Sequence, residues 1–124
     1  MSEIQIITGE KFQKELKKYS KKYISLKEDL KDLMQVLCLI PKGNKSKHWN
    51  ILKQDGEKYI FKIRMMCRSL KGSSFRVIYY FDGEKVDLIF IELYFKGKKE
   101  KENEKRIEEF WEIKTKPGDN PAGL

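Results

Sequence analysis

Residues 61–80 read FKIRMMCRSLKGSSFRVIYY, and the way this stretch is parsed decides the fold. Two apolar runs, rich in β-branched and aromatic residues, flank a Lys71-Gly72-Ser73-Ser74 loop, which is the pattern of two strands around a turn. Successive strand side chains point to opposite faces. In a strand from about Lys58 to Arg68, Tyr59, Phe61, Ile63 and Met65 therefore share one face, and Ile60, Lys62, Arg64 and Met66 share the other. The next strand, Phe75 to Phe81, sets Val77 and Tyr79 against Arg76, Ile78 and Tyr80. Keeping the apolar faces together gathers Lys62, Arg64 and Arg76 on one exposed sheet face, with Tyr80 nearby and no carboxylate within the strands. Like charges side by side cost energy, so a concave face that collects them is expected to meet a phosphate; the alternative is a solvated face with scattered charge.

Downstream of this pair, Asp82-Gly83 reads as a two-residue turn into a third strand, Glu84 to Phe95, pairing Phe81 with Glu84, Tyr79 with Val86 and Val77 with Leu88. Upstream, PKGNKSKHWN (41–50) reads as a loop, and Asp55-Gly56 as a turn. Residues 3–8 form a short first strand. Thr8 is placed to cap a helix with apolar positions at Phe12, Leu16, Tyr19 and Tyr23, and Ser25 with Glu28 forms a capping box for a second. The second helix carries a stripe of Leu26, Leu30, Leu33, Met34 and Leu37 and ends before Pro41. Ile107, Phe110 and Trp111 mark a terminal helix that packs on the domain. The expected fold is α+β: an edge strand and a helical hairpin packed on an antiparallel sheet (β-α-α-β-β-β), with a C-terminal helix. A single domain spans 1–114, and 115–124, rich in Pro and Gly, is an expected disordered tail.

The 124-residue chain has a net charge of +8, and the excess belongs to the body: residues 1–95 carry 19 Lys/Arg against 12 Asp/Glu, and residues 96–124 carry 8 against 7. That balance points to a polyanionic partner. No apolar run is long enough to span a bilayer and no secretory leader is legible. Cys38 and Cys67 lack CxxC spacing and read as two buried free thiols of a reducing compartment, so a cytoplasmic protein is expected. No metal-ligand cluster and no cofactor motif is present, and His48 beside Trp49 reads as a surface loop histidine rather than a catalytic pair. The lysines of the first helix (Lys11, Lys14, Lys17, Lys18, Lys21, Lys22) are equally a solvated face or an RNA contact.

The order of elements, and the block YIFKIRMMCRSLKGSSFRVIYYFDGEKVDLIFIELYFK (59–96), resembles the RelE/ParE superfamily of toxin–antitoxin toxins, in particular its RelE-type members. The features that carry the resemblance are the Lys62-x-Arg64 pair, the Arg-Val-Ile-Tyr of residues 76–79, and the Tyr94-x-Lys96 ending of the last strand. It covers residues 3 to about 110. It implies a toxin that cleaves mRNA in the ribosomal decoding site and is neutralised by a cognate antitoxin. Family catalysis rests on basic strand residues, matched here by Lys62, Arg64 and Arg76. Lys96, Lys98 and Lys99 supply the basic positions after the last strand, but no Tyr or His follows them, and Tyr94 and Tyr80 are the nearest aromatic hydroxyls.

Cleavage by 2′-hydroxyl attack needs a base, cations for the crowded phosphorane and an acid for the departing 5′-oxygen. Lysine serves as base only where neighbouring cations ease loss of its proton, which is the expected position of Lys62. Arg64 and Arg76 are then the phosphate and transition-state stabilisers. Arg68, Tyr94, Lys96, Lys98 and Lys99 are the expected RNA-binding set. The expected partners are an acidic cognate antitoxin that folds on contact, the ribosome and mRNA, with a hetero-oligomer of toxin and antitoxin as one expected assembly. Two rival readings are a ParE-like gyrase inhibitor and a catalytically inactive relative that only binds RNA or antitoxin.

Overall fold

The computed structural model describes residues 4–70, 74–99 and 101–115. Among them the order is β1 (Gln5–Thr8), α1 (Glu10–Ser20), α2 (Leu26–Leu39), β2 (Trp49–Asp55), β3 (Lys58–Met66), β4 (Ser74–Asp82), β5 (Asp87–Phe95) and α3 (Glu104–Thr115). Strand order across the sheet is β1-β5-β4-β3-β2, with β1 parallel to β5 and every other pair antiparallel. The α+β class, the edge position of β1 and the helical hairpin over one face are as expected. The sheet holds one strand more than anticipated, β2, and it begins inside the segment assigned to a loop. The Lys71-Gly72-Ser73 part of the β3–β4 loop and the tail from 116 lie outside the described residues, while Ser74 opens β4 and Thr115 closes α3.

Alternation in β3 sorts its residues as period two requires. Phe61, Ile63 and Met65 enter a larger core with Phe12, Leu26, Leu30, Leu37, Val77 and Tyr79, between the sheet and the helices α1 and α2. Ile60 joins Ile78, Tyr80, Ile89 and Ile91 in a smaller core closed by Ile107, Phe110 and Trp111 of α3. Because helices cover both faces, β4 and β5 are buried along almost their whole length, which explains their nearly continuous apolar sequence. No helix among the described residues is long and apolar enough to cross a membrane.

The β4–β5 connection corrects the expected register. Asp82 pairs with Asp87, Phe81 with Leu88, Tyr79 with Phe90 and Val77 with Leu93, leaving four residues in the turn. Three hydrogen bonds lengthen it. Asp82 Oδ1 accepts from the Glu84 and Lys85 amides at 2.9 and 3.2 Å, and the Gly83 amide donates to the Glu57 carbonyl of the neighbouring turn at 2.8 Å. Val86 closes the loop with a φ of +59°, left-handed backbone that β-branched residues avoid. Further along, Ile78 faces Glu92 while Tyr79 faces Phe90, so Ile91 is an extra residue and β5 bulges there.

Three smaller expectations also change. Gly9, not Thr8, occupies the N-cap of α1, and the Thr8 hydroxyl instead accepts from the Gln13 side chain. The Ser25–Glu28 capping box does not form, because Ser25 already has helical backbone angles and its hydroxyl donates to Asp29 at 2.7 Å. Ser25 and Ser69 exchange two hydrogen bonds at 2.7 and 2.8 Å, tying the start of α2 to the chain after β3. Of the two free thiols Cys67 is buried, but Cys38 is exposed near the end of α2.

β1 pairs with only the first four residues of β5, up to Phe90. Beyond that point side chains cover the outer edge: Glu15 of α1 accepts from the Leu93 amide at 3.0 Å, and Arg106 of α3 donates to the Ile91 carbonyl and to Glu15. One ion pair thereby links the helices on the two sheet faces around the edge.

Candidate functional site

α3 packs over Ile60, Tyr80 and Ile89 and leaves the far end of its sheet face partly open, at the Lys62–Arg64 end of β3. Strand register lines the side chains there in two rows across the sheet. In the first, Arg64 lies opposite Arg76 and Arg76 opposite Tyr94, and the Arg64 amide donates to the His48 carbonyl at 3.1 Å, adding His48 beyond the end of β2. In the second, Asn50, Lys62, Ile78 and Glu92 follow one another across β2 to β5. Lys47, His48, Asn50, Lys62, Arg64 and Arg76 line one cleft of about 210 Å³.

The three strand cations thus come together as the alternation predicts, but the site is not purely cationic. Glu102, in the segment leading into α3, accepts from Lys62 Nζ at 3.0 Å and from the Tyr94 hydroxyl at 3.4 Å. Burial works to raise the Glu102 carboxyl. Its own backbone amide and the Lys62 ammonium outweigh that, and the group is held below the ordinary carboxylate range. Tyr94 is 2% exposed, and burial first, then the Glu102 charge, pushes its phenol well above the ordinary range, so it stays protonated at neutral pH. Glu92, wholly buried, is turned to this face by the bulge and accepts from Lys99 Nζ at 2.7 Å and from the Asn103 amide at 2.9 Å. The expectation of strands free of carboxylate is therefore corrected. Arg76 donates to the Ser74 hydroxyl, which steers its guanidinium toward the open end.

Other residues expected in the site lie elsewhere. Arg68 is held by Asp29 at 2.6 Å and Asp32 at 3.5 Å on α2, across the sheet from the cleft. Lys98 lines a small hollow with Lys18, Tyr19, Lys22 and Phe95, on the helical-hairpin side. Lys99 stands over the Tyr94 ring at 5.6 Å and is engaged by Glu92. Lys96 is exposed just beyond β5, where its amide donates to the Ser74 carbonyl. Tyr80 is sealed beneath Phe110 and Trp111 and hydrogen-bonds Asp82, so it is not part of the cleft. A larger cleft of about 430 Å³ flanks α3, but Glu102, Glu104 and Glu108 line it and repel a phosphate.

Lys47, His48, Asn50 and Glu102 are not among the expected site residues, His48 reading in the sequence as a surface loop histidine. The signal for the first three is a register count. Run back without interruption from the Asp55–Lys58 pair, the ladder places Asn50 opposite Ile63. A bulge between Ile51 and Lys53 moves Asn50 opposite Lys62 and turns it toward the cations. Among the described residues no group of three or more His, Cys, Asp and Glu side chains is placed to hold a metal ion.

No protein-family model and no curated protein matches the sequence. Solved structures do. A chain of an archaeal RelE–RelB complex from Pyrococcus horikoshii OT3 superposes with a TM-score of 0.57 at 15% identity, covering 79% of this chain and all of that one. A free-state arginine double mutant of the E. coli toxin RelE gives 0.53 at 22% identity, covering 80% of this chain and 90% of that one. At such identities the likeness is one of architecture: the chain has a RelE-like fold.

Proposed function

We propose that this chain is the toxin of a toxin–antitoxin pair and that it cleaves mRNA on the ribosome, arresting translation. The observation that carries the reading is the row of Arg64 and Arg76 beside Lys62 at the open end of a sheet face, in a fold shared with two RelE proteins. A phosphodiester laid on that row meets two guanidinium groups, which bind phosphate oxygens bidentately and stabilise charge as it develops on a phosphorane. Lys62 is the acid/base candidate, and Lys99 and Lys96 extend the positive surface toward the flanking backbone. The RelB partner of the archaeal neighbour supports an antitoxin for this chain, and the net charge of +8 favours an acidic one working in the cytoplasm. One observation favours the rival reading of an inactive RNA-binding relative: Glu102 already occupies Lys62.

Induced expression of the wild type beside Lys62→Ala and Arg76→Ala tests the proposal, read as growth and as 5′ ends of cellular mRNA. The expected result is arrest with cuts inside translated frames, both lost in the two variants. Arrest that survives both substitutions moves the mechanism off this face, and a supercoiling assay then decides for or against gyrase. RNA binding without cleavage establishes the inactive relative.

A further inference from the structure

We infer that His48 is the proton acceptor of the cleft, taking the 2′-hydroxyl proton of an RNA strand whose adjacent phosphate lies on Arg64 and Arg76. This rests on the nuclease reading above.

Position comes first. The His48 carbonyl takes the Arg64 amide, so His48 extends the Arg64–Arg76 row by one strand. Strand spacing of about 4.8 Å puts its backbone one spacing from Arg64 and two, about 10 Å, from Arg76. In the proposed geometry a ribose lies between the imidazole and a phosphate held by the arginines. The loop is also built rather than loose. Asn44 Oδ1 accepts the Ser46 amide at 3.0 Å, Ser46 Oγ accepts the His48 amide at 3.2 Å, and the next residue, Trp49, is fastened through its indole N–H to the Tyr79 hydroxyl at 3.0 Å. His48 is exposed and lines the cleft, and among the described residues its ring nitrogens have no hydrogen-bond partner.

Elimination among the lining residues points the same way. Lys47 from the loop, Lys62 and Arg64 from β3 and Arg76 from β4 are the charged residues that line the cleft with His48. A guanidinium has no lone pair to accept a proton, an ammonium has none until it loses one, and Lys62 is donating to Glu102. Asn50 is neutral and does not titrate. Tyr94 is buried beneath the row. Among the lining side chains imidazole alone offers a ring nitrogen lone pair that can take a proton. In the step, the 2′-oxygen forms a bond to phosphorus as its proton passes to His48. The bond from phosphorus to the 5′-oxygen breaks with its electron pair going to that oxygen, which takes a proton from Lys62. The products are a 2′,3′-cyclic phosphate and a 5′-hydroxyl, and solvent restores both protein groups.

The test is single-turnover cleavage of mRNA on purified programmed ribosomes, followed across pH, for the wild type, His48→Gln and Arg76→Ala, with binding of a 2′-deoxy substrate measured alongside. His48→Gln is expected to lose about 10²–10⁴-fold in rate and the acidic limb of the pH profile, while binding the 2′-deoxy substrate as the wild type does. Arg76→Ala is expected to lose binding and rate together. Cleavage by His48→Gln within threefold of the wild type, with the same limb, overturns the inference and leaves the nuclease reading standing. Loss of 2′-deoxy binding by His48→Gln also overturns it, making His48 a contact rather than a base. A wild type that cleaves nothing removes the nuclease reading, and this inference with it.

Discussion

Glu102 shows how one side chain sets the balance of the cleft. Its carboxylate stands within hydrogen-bond reach of Lys62 and Tyr94, so it competes with any phosphate for the lysine. A charge at this range is worth about 1 kcal/mol in a solvated setting. Glu102→Gln is therefore expected to tighten binding of single-stranded RNA about fivefold, measured by fluorescence anisotropy; unchanged affinity places the bound strand away from Lys62. Val86 makes a second prediction, for stability. Its φ of +59° costs about 1–2 kcal/mol relative to a compatible residue, and glycine gives back part of that through chain entropy. Val86→Gly should gain about 0.5–1 kcal/mol in urea unfolding. At this scale the sequence was informative for Lys62, Arg64 and Arg76, because alternation within a strand needs no knowledge of its neighbours. It was silent on Glu102, which reaches the site from 40 residues away along the chain, and in it His48 reads as a surface loop residue, because its placement depends on a single bulged residue.

Among the elements, β2 was the least legible. Its sequence WNILKQD does not alternate, because the bulge at its centre switches face midway and its outer edge is solvated. β3, β4 and β5 were legible because their apolar runs are long and their partners adjacent. The β4–β5 register was not, because Asp82 and Gly83 engage the loop and the neighbouring turn, contacts that no count of residues contains. β2 is held at its start by Trp49, whose ring packs so closely on Gly43 that a Cβ there would lie 2.5 Å from it, at a φ of +75°. Gly43→Ala is expected to cost about 2 kcal/mol and to loosen His48 with it, seen as a lower urea midpoint. The start of α2 carries the acid sensitivity. Burial works to raise the Asp29 carboxyl, but the Ser25 hydroxyl and the Arg68 guanidinium and amide outweigh it, holding the group below the ordinary value of 3.8. A lowered folded-state value gives stability that is full above the unfolded value and is lost as pH falls through the folded one. Asp29→Asn should cost about 1–3 kcal/mol at neutral pH and remove that part of the acid limb in unfolding followed from pH 5 to pH 2.

Across the whole molecule, cations gather on more than one face. The cleft holds Lys62, Arg64 and Arg76, and α1 carries its lysines on the hairpin side. Counterion release separates the two contributions, since each phosphate neutralised adds about 0.7 to the salt slope for single-stranded nucleic acid. With the strand on the cleft, Arg64→Ala should lower the slope by about 0.7 between 50 and 200 mM salt, and Lys17→Ala should leave it unchanged; the reverse places the contact on α1. The small core under α3 fixes how that face is shared, with Ile107 at its centre. A last consequence follows from the uneven pairing of β5. A half-vacant strand edge is an invitation to polymerise, because a passing chain can continue the ladder and be continued in turn. Here Glu15 and Arg106 occupy the Leu93 amide and the Ile91 carbonyl before any such visitor can. The clamp is thus a guard against fibre growth along the β5 edge.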